Sequence, residues 1–160
     1  MRVVVLGIGN MLMTDEGIGV HAVEALQRRF ILPDAVAVVD GGTTGMELLP
    51  DLENADHLIV IDAVRVGKPP ATVVRLEGDD VPAFFKTKLS PHQVGLSDVL
   101  AALRFSGQAP RHVVLIGVQP VSLEMGMELS PDVARRLDEV LDLVSAELAT
   151  IGVPALERRQ

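Results

Sequence analysis

VVVLGIGNMLMTDEGIGVH, residues 3–21, decides how the rest of the chain is read. Val3–Leu6 is a compact, β-branched-rich run without polar alternation, which predicts a strand buried on both faces. Gly7 and Gly9 end it. A helix is expected from about Glu16 to Phe30, with Val23, Leu26 and Phe30 on its apolar stripe and Arg28 and Arg29 in its last turn. Strand, glycine turn and helix in that order suggest a phosphate-binding loop. The residues argue against it. A dinucleotide fingerprint needs a third glycine where this chain has Leu12, and Asp40 lies farther on than the expected ribose-binding acid. Asp15 and Glu16 also bring acid to the mouth of the helix. Capping and a favourable helix-dipole interaction account for Asp15. Glu16, held by the same turn, is expected to point out over the edge of the sheet.

Working outward, Val36–Val39 predicts a second strand ending in Asp40-Gly41-Gly42-Thr43. A short helix follows around Met46–Leu52. His57–Ile61 is a third strand ending at Asp62. Thr72–Leu76 is a fourth, and the preceding GKPP gives it an edge position, because proline removes ladder donors. Residues 79–95 show no period and read as a long loop. Leu96–Phe105 is a helix with Ser97 as its N-cap, and His112–Val118 is a fifth strand. Ser130 and Pro131 open a final helix whose stripe is Val133, Leu137, Val140, Leu141, Val144 and Leu148, and Gly152 stops it. This alternation predicts a three-layer α/β fold. Its core is a mainly parallel, twisted five-stranded sheet with helices on both faces.

The 160 residues suit one domain spanning 1–160, and 48% hydrophobic content argues against disorder. A net charge of −8, no Trp or Tyr and only four Phe exclude a general nucleic-acid binder. With no cysteine, disulfides, thiolate ligands and a cysteine nucleophile are excluded. No run approaches a membrane span, and the start reads as a strand rather than a signal peptide, so no membrane insertion and a cytoplasmic location are expected.

In parallel sheets ligands sit beyond the carboxyl ends of the strands. That rule singles out Glu16, Asp40, Asp62 and the loop histidine His92. Each has an ordinary explanation as a cap, turn or surface residue. Together, Glu16, Asp62 and His92 are two carboxylates and an imidazole on loops gathered at one edge. Such a set suits a borderline divalent ion such as nickel or zinc and leaves a coordination position open. His21, His57 and His112 are weaker candidates. There is no H-E-x-x-H, and GLSDV at 95–99 lacks the second glycine of a nucleophile elbow.

The segments LGIGNMLMTDEGIGVHAVEAL, VDGGTTGMELL, VIDAVRVGKPP, SPHQVGLSDVLAAL and IGVQPVSLEMGMELSPDV resemble, in order and over nearly the whole chain, the nickel–iron hydrogenase maturation proteases. The resemblance implies an endopeptidase that removes the C-terminal extension of a hydrogenase large-subunit precursor after nickel insertion. It implies Glu16, Asp62 and His92 as metal contacts and Asp40, of Asp-Gly-Gly-Thr, as the aspartyl-protease-like acid linked to cleavage. Nickel is expected to arrive with the substrate as a recognition tag, with zinc or cadmium able to substitute in a crystal. Two roles for nickel stay open at this point, activating water or only positioning the tail. So do three other classes: a nucleotide-binding module, a hydrolase with a permanent zinc, and a noncatalytic metallochaperone. One departure from the family is Ala71, where glycine is common.

Overall fold

The computed structural model describes residues 1–43, 45–81 and 91–160, without the side chains of 46 and 91–95. The elements in chain order are β1 (Val3–Ile8), a 3-10 turn (Thr14–Gly17), α1 (Ile18–Arg29), β2 (Phe30–Ile31), β3 (Val36–Gly42), a second 3-10 turn (Met46–Leu48), α2 (Leu49–Leu52), β4 (His57–Ala63), β5 (Val73–Glu77), α3 (Pro91–Phe105), β6 (His112–Val118), α4 (Pro131–Ala134), α5 (Leu137–Thr150) and β7 (Glu157–Arg158).

Five strands form one sheet in the order β3-β1-β4-β6-β5. β3, β1, β4 and β6 run parallel, and β5 lies antiparallel at the edge that Pro69 and Pro70 announce. All six residues of β1 are buried, as its unbroken apolar run requires. Alternation sends its side chains to two separate cores. Val3 and Val5, with Ile59, Ile61, Ile116 and Val118, pack under Val23 and Leu26 of α1 and Val140, Val144 and Leu148 of α5. Val4 and Leu6, with Leu58, Val60 and Leu115, pack under Leu52 of α2 and Leu96, Val99 and Leu103 of α3. The expected three layers are therefore present. β2 and β7 add a small antiparallel pair outside the main sheet.

Four local expectations need correction. α3 starts at Pro91, not Leu96, so Ser97 lies inside the helix rather than capping it. The signal was present: Ser90-Pro91 repeats the Ser130-Pro131 dipeptide, since proline at a first helical turn forfeits no intrahelical bond. Of the long loop expected over 79–95, residues 82–90 lie outside the described residues, and 91–95 are helical. The final helix is two, broken at Arg135-Arg136, where the Arg136 guanidinium donates to the Ala71 carbonyl at 3.1 Å. Ala71 itself has φ +66°. This left-handed conformation favours glycine, so Ala71 carries backbone strain that a glycine there would not. Finally, Leu137 is only half-buried, whereas Val140, Val144 and Leu148 are buried.

The amino edge of the sheet carries a pH-sensitive pair. His57 and His112 are direct register partners, and their rings stack with centroids 5.0 Å apart. Partial burial, and secondarily the neighbouring His112, hold the His57 pKa below its usual value, with Asp56 opposing. The unfolded chain therefore binds more protons near and below about pH 6.5, and stability falls as pH drops through that range. Asp56 accepts the Arg2 backbone N–H at 2.6 Å, and chiefly for that reason its pKa is lowered. Its contribution is lost only in the lower window, below about pH 4. In urea titrations between pH 7.5 and 5, His57→Gln is expected to flatten the acid-side loss. A slope equal to wild type's would assign that loss to other groups.

Candidate functional site

Four parallel strands end on one side of the sheet, and the candidate carboxylates end with them. Gly7 of β1 is in register with Asp40 of β3 on one side and Ile61 of β4 on the other. Asp62 is thus one residue farther along the rim than Asp40. With neighbouring strands about 4.8 Å apart, Asp40 and Asp62 stand on strands about 10 Å apart, and the β1 end lies between them.

Glu16 reaches this rim because glycines let α1 sit unusually close. A Cβ on Gly7 would lie 2.2 Å from the Gly19 carbonyl oxygen. One on Gly9, whose φ is +143°, would lie 1.9 Å from the Glu16 carbonyl oxygen. The glycines of the opening stretch therefore serve contact between helix and strand ends. That contact presents an acid at the strand ends where a phosphate loop would present bare N–H groups.

The three carboxylates differ in environment. Asp62 is completely buried, and its Oδ1 accepts the Ala63 N–H at 2.8 Å. Glu16 is half-buried in its 3-10 turn. Asp40 is exposed on an edge strand, and its Oδ1 accepts the Gly42 N–H at 3.0 Å, which orients the carboxylate locally. Strand alternation assigns Asp62 to the face of Leu58 and Val60, the one covered by α3. His92 opens that helix, although its side chain lies outside the described residues. Alternation assigns Asp40 to the face of Val36 and Val38. The fold thus brings Glu16 and Asp62 to adjacent strand ends, with the His92 helix on the Asp62 side. Asp40 stands across β1 on the outer strand. His57 and His112 begin their strands and so belong to the opposite edge.

Asp15 is not the cap its position suggests. It makes no capping bond and is 1% exposed. Its Oδ2 accepts the N–H groups of Val121 and Ser122, each at 2.9 Å, and the Ser130 hydroxyl at 2.8 Å. Its Oδ1 accepts the Ser130 N–H at 2.8 Å. Ser130 consequently spends its hydroxyl on Asp15 and makes no side-chain cap on α4. Backbone pairing reinforces the weld: Thr14 donates to the Gly126 carbonyl at 2.8 Å and Gly126 to that of Leu12 at 2.9 Å. Segment 121–130 is thereby tied to the turn bearing Glu16. No periodicity marks a bond across more than a hundred residues, so sequence reasoning missed it.

The hydrogenase maturation protease family model matches residues 20–147, a span that contains Asp40, Asp62 and His92 and begins beyond Glu16. The hydrogenase 2 maturation protease of Escherichia coli K12 is 52% identical over 159 residues, covering 99% of this chain and 97% of its own length. The hydrogenase expression/formation protein HupD of Thiocapsa roseopersicina is 46% identical over 159 residues, 98% of this chain and 72% of its own. Among solved structures, the hydrogenase maturating endopeptidase HybD from E. coli superposes with a TM-score of 0.93 at 51% identity, covering 99% of this chain and 96% of that one.

Proposed function

The chain belongs to the hydrogenase maturation protease family, and from that premise we propose that it removes the C-terminal extension of a hydrogenase large-subunit precursor once nickel is bound there. It is a peptidase of hydrogenase maturation. The proposal adds the nickel tag, the cleavage position, the residue roles and a cytoplasmic site of action. What supports it is that Asp40 and Asp62 end the two strands on either side of β1, with the backbone of Glu16 packed against the end of β1 itself.

In this reading nickel is cargo of the substrate. Glu16, Asp62 and His92 complete its coordination when the precursor docks, a nitrogen and oxygen set suited to a borderline divalent ion. A precursor without nickel loses that contact and its tail is not held. Asp40, exposed and oriented by Gly42, acts on the water. It accepts a proton as the oxygen attacks the scissile carbonyl, then returns it to the leaving amine as the C–N bond breaks. The burial of Asp62 fits a ligand that meets its ion only at the end of docking, and the exposure of Asp40 fits a group that must meet a peptide.

The test is incubation with nickel-loaded and nickel-free precursor, reading the mass of the large subunit. Loaded precursor should be shortened and nickel-free precursor left intact. Efficient cutting of the nickel-free form would sink the tag. Asp40→Asn keeps size and removes basicity, so single-turnover cleavage should slow by about 100-fold or more while precursor binding changes little. Unchanged cleavage would remove Asp40 from the mechanism.

A further inference from the structure

The segment that Asp15 welds to the Glu16 turn also presents an unusual surface. Seven large apolar side chains are exposed among the described residues, and four of them lie on the two paired loops: Leu12 at 56%, Val121 at 44%, Met125 at 87% and Met127 at 63%. The pairing of Met13 with Gly126 sets these loops side by side. Glu124 and Glu128, both exposed, flank the methionines. Neither loop has a cation nearby in sequence. No Lys or Arg occurs between Arg2 and Arg28, or between Arg111 and Arg135.

We propose that Leu12, Val121, Met125 and Met127, rimmed by Glu124 and Glu128, form the surface that docks an apolar segment of the precursor bearing Lys or Arg at its flanks. This rests on the precursor-processing reading above. Three observations choose the occupant. Exposed methionines are flexible and polarizable, and they suit an apolar peptide that must fit without one rigid shape. The apolar patch is rimmed by polar residues, the form an interaction site takes. The two loops themselves carry Glu124 and Glu128 and no Lys or Arg, so a partner with positive charge at its flanks is complementary to them. The surface adjoins Glu16 through a rigid connection, so a segment seated on it is delivered to the rim rather than to a remote face.

The experiment measures steady-state cleavage of nickel-loaded precursor by the full chain. The double variant Met125→Gln/Met127→Gln should raise KM about tenfold while kcat changes less than about twofold, the mark of lost docking rather than lost chemistry. Glu124→Gln/Glu128→Gln should raise KM about threefold at low salt and match wild type near 0.5 M salt, where exposed charges are screened. These side chains are exposed, so urea midpoints should stay at the wild-type value, and Leu12→Gln offers a third independent probe. Wild-type KM values in all three variants would overturn the surface. So would a variant that abolishes self-association of the enzyme while KM stays unchanged, which would make a second copy the occupant. Failure of wild type to cut loaded precursor would instead defeat the processing reading, and this inference with it.

Discussion

Gly19→Ala is expected to prevent the chain from folding. A Cβ at this position would lie 2.2 Å from the carbonyl oxygen of Ile61, 2.3 Å from that of Ile8 and 2.6 Å from the Ile8 nitrogen. All three are backbone atoms of β1 and β4, two adjacent interior strands of the sheet. A flexible side chain could swing aside, but these cannot without parting the strands. α1 must lift instead, which loosens Ile18, Val23 and Leu26 from the core. Overpacking alone typically costs about 1–3 kcal/mol, and lost burial adds to it. The sum reaches the lower end of a domain's whole stability of about 5–15 kcal/mol. Gly152→Ala is the control. That glycine has φ +92° but open space around it, so only the roughly 1 kcal/mol of backbone strain is at stake. Circular dichroism and thermal melts of both variants decide the matter. A soluble Gly19→Ala chain melting within a few degrees of wild type would show that the helix does not rest on the strands through this residue.

The second large effect is expected at Asp15. In Asp15→Asn the size is kept, but one oxygen becomes an NH2 group. Oδ1 faces one N–H donor and Oδ2 faces two N–H groups and a hydroxyl. Whichever way the amide turns, a donor meets a donor, and charge-assisted bonds become neutral. Hydrogen bonds to a charged group are worth about 1.5–3 kcal/mol each, and part of the set survives, so a net loss of roughly 2–4 kcal/mol is expected. Ser130→Ala removes only the hydroxyl bond and should cost about 1–2 kcal/mol. Urea midpoints at constant m-value give both numbers. If Asp15→Asn stays within about 0.5 kcal/mol of wild type, the carboxylate is an ordinary surface group rather than an anchor. A large loss would mean that segment 121–130 and the Glu16 turn are held as one unit.

Those two residues also mark where reading the chain succeeded and failed. The unbroken apolar runs Val3–Leu6 and Leu58–Ile61 required strands buried on both faces, and strands separated by helical periods required a parallel sheet with two covered faces. Pro69 and Pro70 required an edge. The rule that parallel sheets bind at their carboxyl ends singles out Glu16, Asp40 and Asp62 as candidates, and Asp40 and Asp62 do stand at those ends. All of this is local or periodic information, which burial and hydrogen bonding impose on short stretches of chain. The sequence did not reveal why Gly7, Gly9 and Gly19 are glycines, since the reason is backbone from other elements within 2–3 Å of each absent side chain. Nor did it reveal the break at Arg135-Arg136 or the faces to which Asp40 and Asp62 belong. Asp15 and Glu16 are adjacent acids with the same apparent reason to sit at a helix mouth. Only the return of segment 121–130 separates them, because a carboxylate can be buried once enough donors converge on it, and those donors arrive from the far end of the chain.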